Sequence, residues 1–291
     1  MTSIDGETYA SLARLAMRLA GLHLPETKRA FVLSRLQRRL RHLGLRDFDA
    51  YLALLRMTDE PGRAEQDAFV SALTTNVTEV FREPHHFVLL AEHLDRWRAD
   101  RSCGASRFRI WSAGCATGEE PLSIASTCRA VLGANWRARV RILATDVDRA
   151  VIARVSTPPH GIDPETAARL ARLPEGVMHL AHGSGAPRQT DPGDLLSGIE
   201  FRHHNLLAPL PHDETFDVIF CRNVTIYFDD GSRDEAHTRL RDRLLPEGLL
   251  AIGHSERLAG IAPDMVPIGR TAYRKVTSRG RLTATGGPAC R

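Results

Sequence analysis

The chain has 291 residues, with 39 lysines and arginines against 35 aspartates and glutamates, for a formal net charge of +4. Hydrophobic residues make up 43%, and its 22 glycines bring that share to about half, a composition that folds and is not that of a disordered chain. No apolar run approaches the ~18 residues that span a bilayer, which excludes membrane insertion, and five cysteines without a CxxC pair argue against a disulfide framework and a structural zinc site.

Met1 to Glu7 is polar and acidic and lacks the basic-then-apolar layout of a signal peptide, so a cytoplasmic protein is expected. Residues 5 to about 90 read as helices. Leu12, Leu15, Leu19 and Leu22 recur at helical spacing until Pro25 interrupts. Val32, Leu36, Leu40 and Leu43 form the apolar stripe of a second helix that ends near Gly44. Between Lys28 and Arg46 lie seven cationic residues and no acidic one, so this segment is +7 and the rest of the chain is −3. Arg35, Arg39, His42 and Arg46 share a face beside the buried one. This is a local basic element on a nearly neutral protein, unlike a generally basic nucleic-acid binder. A third helix around Phe48 to Met57, a fourth around Glu65 to Thr74, and an exit helix from Pro84 to Ala99 complete the helical part.

From Phe108 the pattern changes. Phe108 to Ala113 is a short strand that runs into the glycine loop Gly114 to Gly118, and a helix follows over Glu120 to Leu132. Then come a strand (Val140 to Thr145), a helix (Asp148 to Val155) and strands at Ile199 to Arg202 and Phe216 to Cys221. Ser232-x-x-Glu235 reads as a capping box opening another helix, followed by strands at Leu249 to Gly253 and Thr271 to Val276. Strands alternating with helices predict an α/β fold with a mostly parallel sheet covered on both faces. The expected organisation is a helical domain over 1–90 and a sheet domain over 91–276. A Pro-, Gly- and His-rich insertion occupies 157–197, and 277–291 reads as a disordered tail.

In such a sheet, ligands bind beyond the carboxyl ends of the strands at the switch point. The first end has the Gly114 loop, where the backbone can approach a ligand closely. The second ends in Asp146, whose carboxylate can take both hydroxyls of a ribose. The third is followed by Asn205-Leu206, suited to an adenine edge and face, and the fourth gives Arg222-Asn223 and then Tyr227-Phe228. Glu119 and Glu120 sit at the helix start, where they repel a pyrophosphate but suit a cationic amino group or sulfonium. S-adenosylmethionine fits that pattern. Thr117-x-x-Glu120 is equally readable as a capping box, with the glutamate only closing the helix.

Four segments carry a resemblance. Thr74 to Phe87 resembles the "TTNxTxFFRE" signature of CheR-type chemotaxis protein methyltransferases, and Ile110 to Pro121 is similar to that family's first cofactor motif. Phe216 to Phe228 resembles its "FDxIxCRNVxIYF" segment, and Leu245 to Glu256 its closing strand motif. The resemblance implies a Rossmann-like, S-adenosylmethionine-dependent protein-glutamate O-methyltransferase acting on methyl-accepting chemotaxis receptors, with S-adenosylhomocysteine as product. Carried over by position, it implies cofactor contacts from Asn76, Thr78, Arg82, Gly114, Glu120, Asp146, Asn205, Leu206, Arg222 and Asn223. Tyr227 is implied near the methyl group, and Arg82 and Tyr227 are the expected orienting pair for the substrate.

A substrate glutamate is already ionised at neutral pH, so attack on the sulfonium methyl requires no general base. Of Tyr227 and Phe228, strand-like alternation lets only one face the site, and Tyr227 is expected there because it can donate a hydrogen bond. Arg35, Arg38, Arg39 and Arg41 resemble the family's receptor-facing helix and are the expected substrate contacts. His85-His86 and His203-His204 lack a metal-ligand spacing, so structural roles and no metal are expected. His254-Ser255-Glu256 reads as a strand-end turn. The insertion stands where the family has a small β-subdomain that in some members tethers a receptor's C-terminal peptide. Here it has no Phe, Trp or Tyr, and no tether is expected. The reading expects a monomer and no nucleic-acid partner. A methyltransferase of nucleic acid or of another protein, and a cofactor-binding regulatory module, are the alternatives.

Overall fold

The helical part is built from short amphipathic helices, three of the first four capped by an aspartate. The computed structural model describes residues 4–100, 107–156, 164–181, 192–211, 213–258 and 263–277. Helix α1 (Gly6–Ala20) begins where the Asp5 carboxylate accepts the Thr8 N–H at 2.8 Å. Helices α2 (Arg29–Leu43), α3 (Phe48–Leu55) and α4 (Glu60–Leu73) follow, and Asp47 and Asp59 cap the last two. The fourth helix starts a turn earlier than its apolar pattern predicts. Asp59 supplies the cap, and Pro61 sits in the first turn, where its missing N–H is not needed. Leu12, Val32, Leu36, Tyr51, Leu55 and Phe69 form the fully buried centre of this domain.

The basic helix divides its arginines between two tasks. Arg39 does not join an exposed basic face. Its guanidinium grips the buried Glu65 carboxylate with two bonds, at 3.0 Å from Nε and 2.5 Å from Nη2, and Tyr51 donates its hydroxyl to the same group at 2.7 Å. Burial, with Glu65 alongside, pushes the Tyr51 phenol far above its usual range. Arg39 is the cation that compensates Glu65, which is 5% exposed, so its guanidinium is already engaged within the domain. Arg38 and Arg41 are exposed, and Arg35 is half-buried with its guanidinium 5.0 Å above the Phe31 ring.

Seven strands make one sheet: β1 (Phe108–Ala113), β2 (Val140–Asp146), β3 (Ile199–His203), β4 (Phe216–Cys221), β5 (Leu244–Ile252), β6 (Met265–Gly269) and β7 (Ala272–Lys275). Their order is β3-β2-β1-β4-β5-β7-β6, with the first five parallel and β7 antiparallel to both neighbours. Successive side chains feed opposite faces. Ile110, Val218 and Phe220 pack under α5 (His85–Ala99) and α6 (Glu119–Leu132), while Trp111, Ile219 and Leu250 pack with Ala236 and Leu240 of the final helix, Asp230–Arg243. Two shorter helices, α7 (Trp136–Arg139) and α8 (Arg149–Ser156), flank β2.

Several boundaries differ from the sequence reading. β5 begins at Leu244 because Leu245–Gly248, which reads as a turn, is a bulge with Glu247 at φ +62°. β6 is a short, mostly exposed edge strand containing Pro267, a pattern that carries little strand signal. The final helix is capped by Asp229, whose carboxylate accepts the Ser232 N–H at 2.8 Å, so Ser232 is not the cap. The expected domain boundary near residue 90 falls inside α5, whose Phe87, Leu90 and Leu94 belong to the sheet-side core. By packing, the division lies between Leu73 and Val80.

Within 157–197 the described residues form α9 (Pro164–Leu170), α10 (Glu175–Leu180) and α11 (Pro192–Leu196), and the final helix becomes α12. Leu170, Leu173, Val177 and Leu195 fasten this segment to the core beneath α6, and none of its described residues is in a strand. The tail from 278 lies outside the described residues. No helix among the described residues is long and apolar enough to cross a membrane.

Candidate functional site

A cleft of about 900 Å³, counting its open mouth, lies at the carboxyl ends of the strands where the order reverses, under the helical domain. All ten residues singled out for the cofactor, together with Tyr227, lie in its walls. Ala20 and Leu22 reach it from the end of α1, and Val147, His204 and Phe228 also line it.

β1 runs into a loop whose backbone turns left-handed at Gly114, Ala116 and Gly118. Gly114 has φ +97°, and a Cβ there would stand 2.2 Å from Val224 Cγ2, so this loop and the one after β4 can approach only through a glycine. Gly118 occupies the cap position of α6, and Thr117 donates its hydroxyl to Glu119 at 2.6 Å. Glu120 therefore does not close a capping box. It turns inward at 7% exposure, accepting Ser112 Oγ at 2.6 Å and Arg222 Nη1 at 3.1 Å. Burial raises its pKa above the usual carboxylate value, against the opposing pull of Arg222 and Ser112. Arg222, 6% exposed, also donates to the Arg82 carbonyl and lies 3.8 Å from Glu83.

Asp146 ends β2 at 8% exposure. Its two carboxylate oxygens accept the Ala116 and Asp148 N–H groups, both at 2.9 Å, and burial lifts its pKa while those bonds lower it. Each oxygen keeps a lone pair for a ligand hydroxyl. Asn205 is more occupied than expected. Its Oδ1 accepts the Leu207 N–H at 2.9 Å, and its Nδ2 donates to the Leu19 carbonyl at 3.1 Å. It pins α1 onto the sheet domain and has one amide proton left for a ligand, while Leu206 supplies an apolar wall.

Two carboxylates that the sequence reading missed hold this site together. Asp148 is fully buried. One oxygen accepts the Ala150 and Val151 N–H groups at the start of α8, and the other accepts Thr74 Oγ1 at 3.1 Å and Asn76 Nδ2 at 3.0 Å. Asp148 thus ties the interdomain linker to the sheet, and Asn76 holds its place through it. Glu256, 4% exposed, accepts the N–H groups of Gly253, Asn223, Val224 and Thr225 and the Thr225 hydroxyl, at 2.6 to 3.0 Å. Asp148 has N-cap spacing to Ala150 and Val151, and Glu256 lies three residues after Gly253, but no spacing relates either acid to its distant partners. Only the run from Cys221 to Thr225 opposite the closing strand hinted at the second.

Arg82 donates Nη1 to the Val77 carbonyl at 3.3 Å and stays at the cleft edge. Thr225–Tyr227 forms one turn of 3₁₀ helix, so strand alternation does not apply and both Tyr227 and Phe228 line the cleft. The Tyr227 carbonyl accepts the His23 N–H at 2.8 Å, and Lys28 Nζ lies 5.7 Å from its ring centre.

The histidine pairs sit among backbone and hydroxyl partners. His85 Nε2 meets the Arg270 carbonyl at 3.0 Å, His86 Nε2 meets Thr271 Oγ1 at 3.1 Å, and His203 Nε2 meets the Val147 carbonyl at 3.2 Å. Burial lowers the pKa of His86 to about 3 and of His204 to about 4, so both are neutral. Glu83, His85 and His86 do bring three ligand-type atoms within 4.8 Å of one another. The Arg222 guanidinium and the N-terminus of α5 place positive charge beside that group, which opposes a cation there.

The cleft chemistry suits S-adenosylmethionine. Two buried carboxylates face it, Glu120 at the start of α6 and Asp146 at the end of β2, where phosphates would be repelled. Asn223 Oδ1 is buried in its wall without a hydrogen-bond partner, an acceptor open to an ammonium or amide donor. A family model described as "CheR methyltransferase, all-alpha domain" matches residues 7–74, and "CheR methyltransferase, SAM binding domain" matches 76–273. The chemotaxis protein methyltransferase of Salmonella typhimurium is 37% identical over 276 residues, covering 91% of this chain and 88% of that protein. That of Escherichia coli is also 37% identical over 276 residues, covering 91% and 89%. Chemotaxis protein methyltransferase 2 of Pseudomonas aeruginosa is 39% identical over 272 residues, covering 92% of each. The chain therefore belongs to the CheR methyltransferase family and is an S-adenosylmethionine-dependent methyltransferase.

Proposed function

We propose that this methyltransferase esterifies glutamate side chains of methyl-accepting chemotaxis receptors. The observation that supports it most is the charge layout: acids line the cofactor side of the cleft, while Arg82 and the hydroxyl-bearing Tyr227 stand where an anionic side chain would enter. The printed names of the relatives, chemotaxis protein methyltransferases, agree with this substrate class.

In this reading Glu120 receives the cofactor's cationic amino acid portion and Asp146 its ribose hydroxyls. Asn205 and Leu206 flank the adenine, and Asn76, Thr78, Gly114, Arg222 and Asn223 complete the enclosure. The bound cofactor supplies a methyl group activated by its positive sulfur. The protein's own work is positioning. Arg82 pairs with the incoming carboxylate, Tyr227 orients it by a hydrogen bond, and the overhanging end of α1 excludes water. A glutamate of pKa about 4.3 arrives ionised, so no side chain has to remove a proton.

The cations of α2 steer an acidic helical surface toward the cleft, with exposed Arg38 and Arg41 and half-buried Arg35 as the leading contacts and Arg39 already bonded to Glu65. The Arg38→Ala/Arg41→Ala double variant should lose about three- to tenfold in kcat/KM at low salt, mostly through KM, and the deficit should shrink above 0.5 M salt as screening removes the steering. An undiminished deficit at high salt would contradict this. Methylation is also expected without a peptide tether, given the helical, aromatic-free segment over 164–181. Rates on a receptor lacking its C-terminal peptide should match those on the intact receptor, and a large loss would overturn that expectation. The reading as a whole is tested by mass-spectrometric mapping of a receptor cytoplasmic fragment after incubation with enzyme and cofactor. Methyl groups on glutamate side chains are expected; methyl groups only on lysine, arginine or backbone nitrogen would contradict it.

A further inference from the structure

We propose that Glu256 is the positioning residue of the cofactor site, holding the loop after β4 in the one conformation that delivers Arg222, Asn223 and Tyr227 to the cleft. This rests on the reading of the cleft as the cofactor site. Five donors converge on one buried carboxylate: four N–H groups, from Gly253 and three consecutive loop residues, and one hydroxyl. Consecutive N–H groups turned inward form an anion-binding concavity, and bonds to an ionised acceptor are roughly twice as strong as neutral ones. Here the anion is a side chain of the chain itself, contributed from the turn after β5.

The loop passes through a left-handed residue: Asn223 has φ +59°, which asparagine accepts more readily than other non-glycine residues and which the surroundings here hold in place. Glu256 enforces it from one side. From another, Gly253 packs so close that a Cβ would stand 2.6 Å from Asn223 Nδ2 and 2.7 Å from its backbone nitrogen. The consequences run in two directions. Upstream, Arg222 is aimed at Glu120 and at the Arg82 carbonyl. Downstream, Thr225 opens the 3₁₀ turn that places Tyr227. The turn after β5 that carries Glu256 is gripped in its own right, because Glu83 accepts the His254 N–H at 3.2 Å and meets its Nδ1 at 3.2 Å. Glu256 touches neither cofactor nor substrate in this account. It acts through the loop.

The test measures S-adenosylhomocysteine affinity by calorimetry on the full chain, with circular dichroism and thermal unfolding alongside. Glu256→Gln keeps the size but removes the charge, so affinity should fall at least about tenfold while the far-ultraviolet spectrum stays native. Thr225→Val deletes one of the five bonds at nearly constant volume and should weaken binding about two- to fivefold. A purely structural role would lower the unfolding midpoint but leave affinity unchanged well below it. Glu256→Gln binding within twofold of the parent would overturn the proposal. Should that variant not fold, Thr225→Val binding indistinguishable from the parent would do the same. Failure of the parent protein itself to bind S-adenosylhomocysteine would instead count against the assignment of the cleft.

Discussion

Arg222→Met is expected to lose about 3–5 kcal/mol of stability and cofactor binding together. Arg222 is 6% exposed, and its guanidinium compensates Glu120, which is 7% exposed. Removing one partner of a buried ion pair leaves the other charged and desolvated, which is far worse than replacing both. The Arg222→Met/Glu120→Gln double variant should therefore regain much of the stability at neutral pH while remaining unable to hold the cofactor. Acid gives a second check. Burial already raises the folded-state pKa of Glu120 above its unfolded value, and loss of the Arg222 cation would raise it further. A carboxyl group raised in this way favours the folded state when protonated. Its contribution is complete below the unfolded pKa and is lost as pH rises through the folded one. The variant's deficit should therefore narrow as pH falls from neutral through that raised pKa. Thermal unfolding of parent and variant at pH 7.5 and pH 5.5 measures this, and a gap that does not change with pH would contradict it.

Asp148→Ala should be the second most damaging change, with a loss of about 2–4 kcal/mol and roughly tenfold weaker cofactor binding. The carboxylate does two jobs at full burial: it caps α8 through the Ala150 and Val151 N–H groups, and it receives Thr74 and Asn76 from the linker. Without it the cap is lost, Asn76 Nδ2 loses its acceptor, and the Thr74 hydroxyl is left to the Ser71 carbonyl at 3.2 Å. Asn76, in the cleft wall, would then be released. Denaturant unfolding together with S-adenosylhomocysteine titration reads both effects. A stability loss without any change in affinity would show that the linker keeps its place by other contacts.

How much of this was legible in the sequence depends on whether a residue's partner lies near it in the chain. The strand Phe108–Ala113, the glycine loop and the run from Phe216 to Cys221 were read correctly because strand alternation and glycine placement are local signals. The ten cofactor candidates line one cleft; those at strand ends meet because such ends share one edge of a parallel sheet, while Asn76, Thr78 and Arg82 reach it from the segment before α5. Most of the failures share a cause. Arg39 lies on a basic helix by spacing, but its partner Glu65 is 26 residues away on another helix. Asp148 lies 72 residues from Asn76, and Glu256 lies 31 to 33 residues from the loop it holds. Such bonds depend on packing, which leaves no periodic trace. Short elements failed differently: Met265–Gly269 is an edge strand with a proline and little apolar alternation, and α9 to α11 are too short to show helical periodicity.

The charge pattern along the chain also takes on a sharper meaning. The basic segment from Lys28 to Arg46 gives one arginine to the interior and presents others outward. The acids Glu120 and Asp146 sit in the cleft beneath the helical domain. A cationic approach leading to an acid-lined cofactor cleft is the arrangement a carboxylate substrate calls for.

The most direct measurement is the alkali stability of the transferred methyl group. Receptor-containing membranes would be incubated with the enzyme and methyl-labelled S-adenosylmethionine, freed of unreacted label and treated with base. Glutamyl methyl esters hydrolyse there, so the account predicts that the label leaves as volatile methanol. Label that stays bound to receptor or appears on nucleic acid after the same treatment would contradict it.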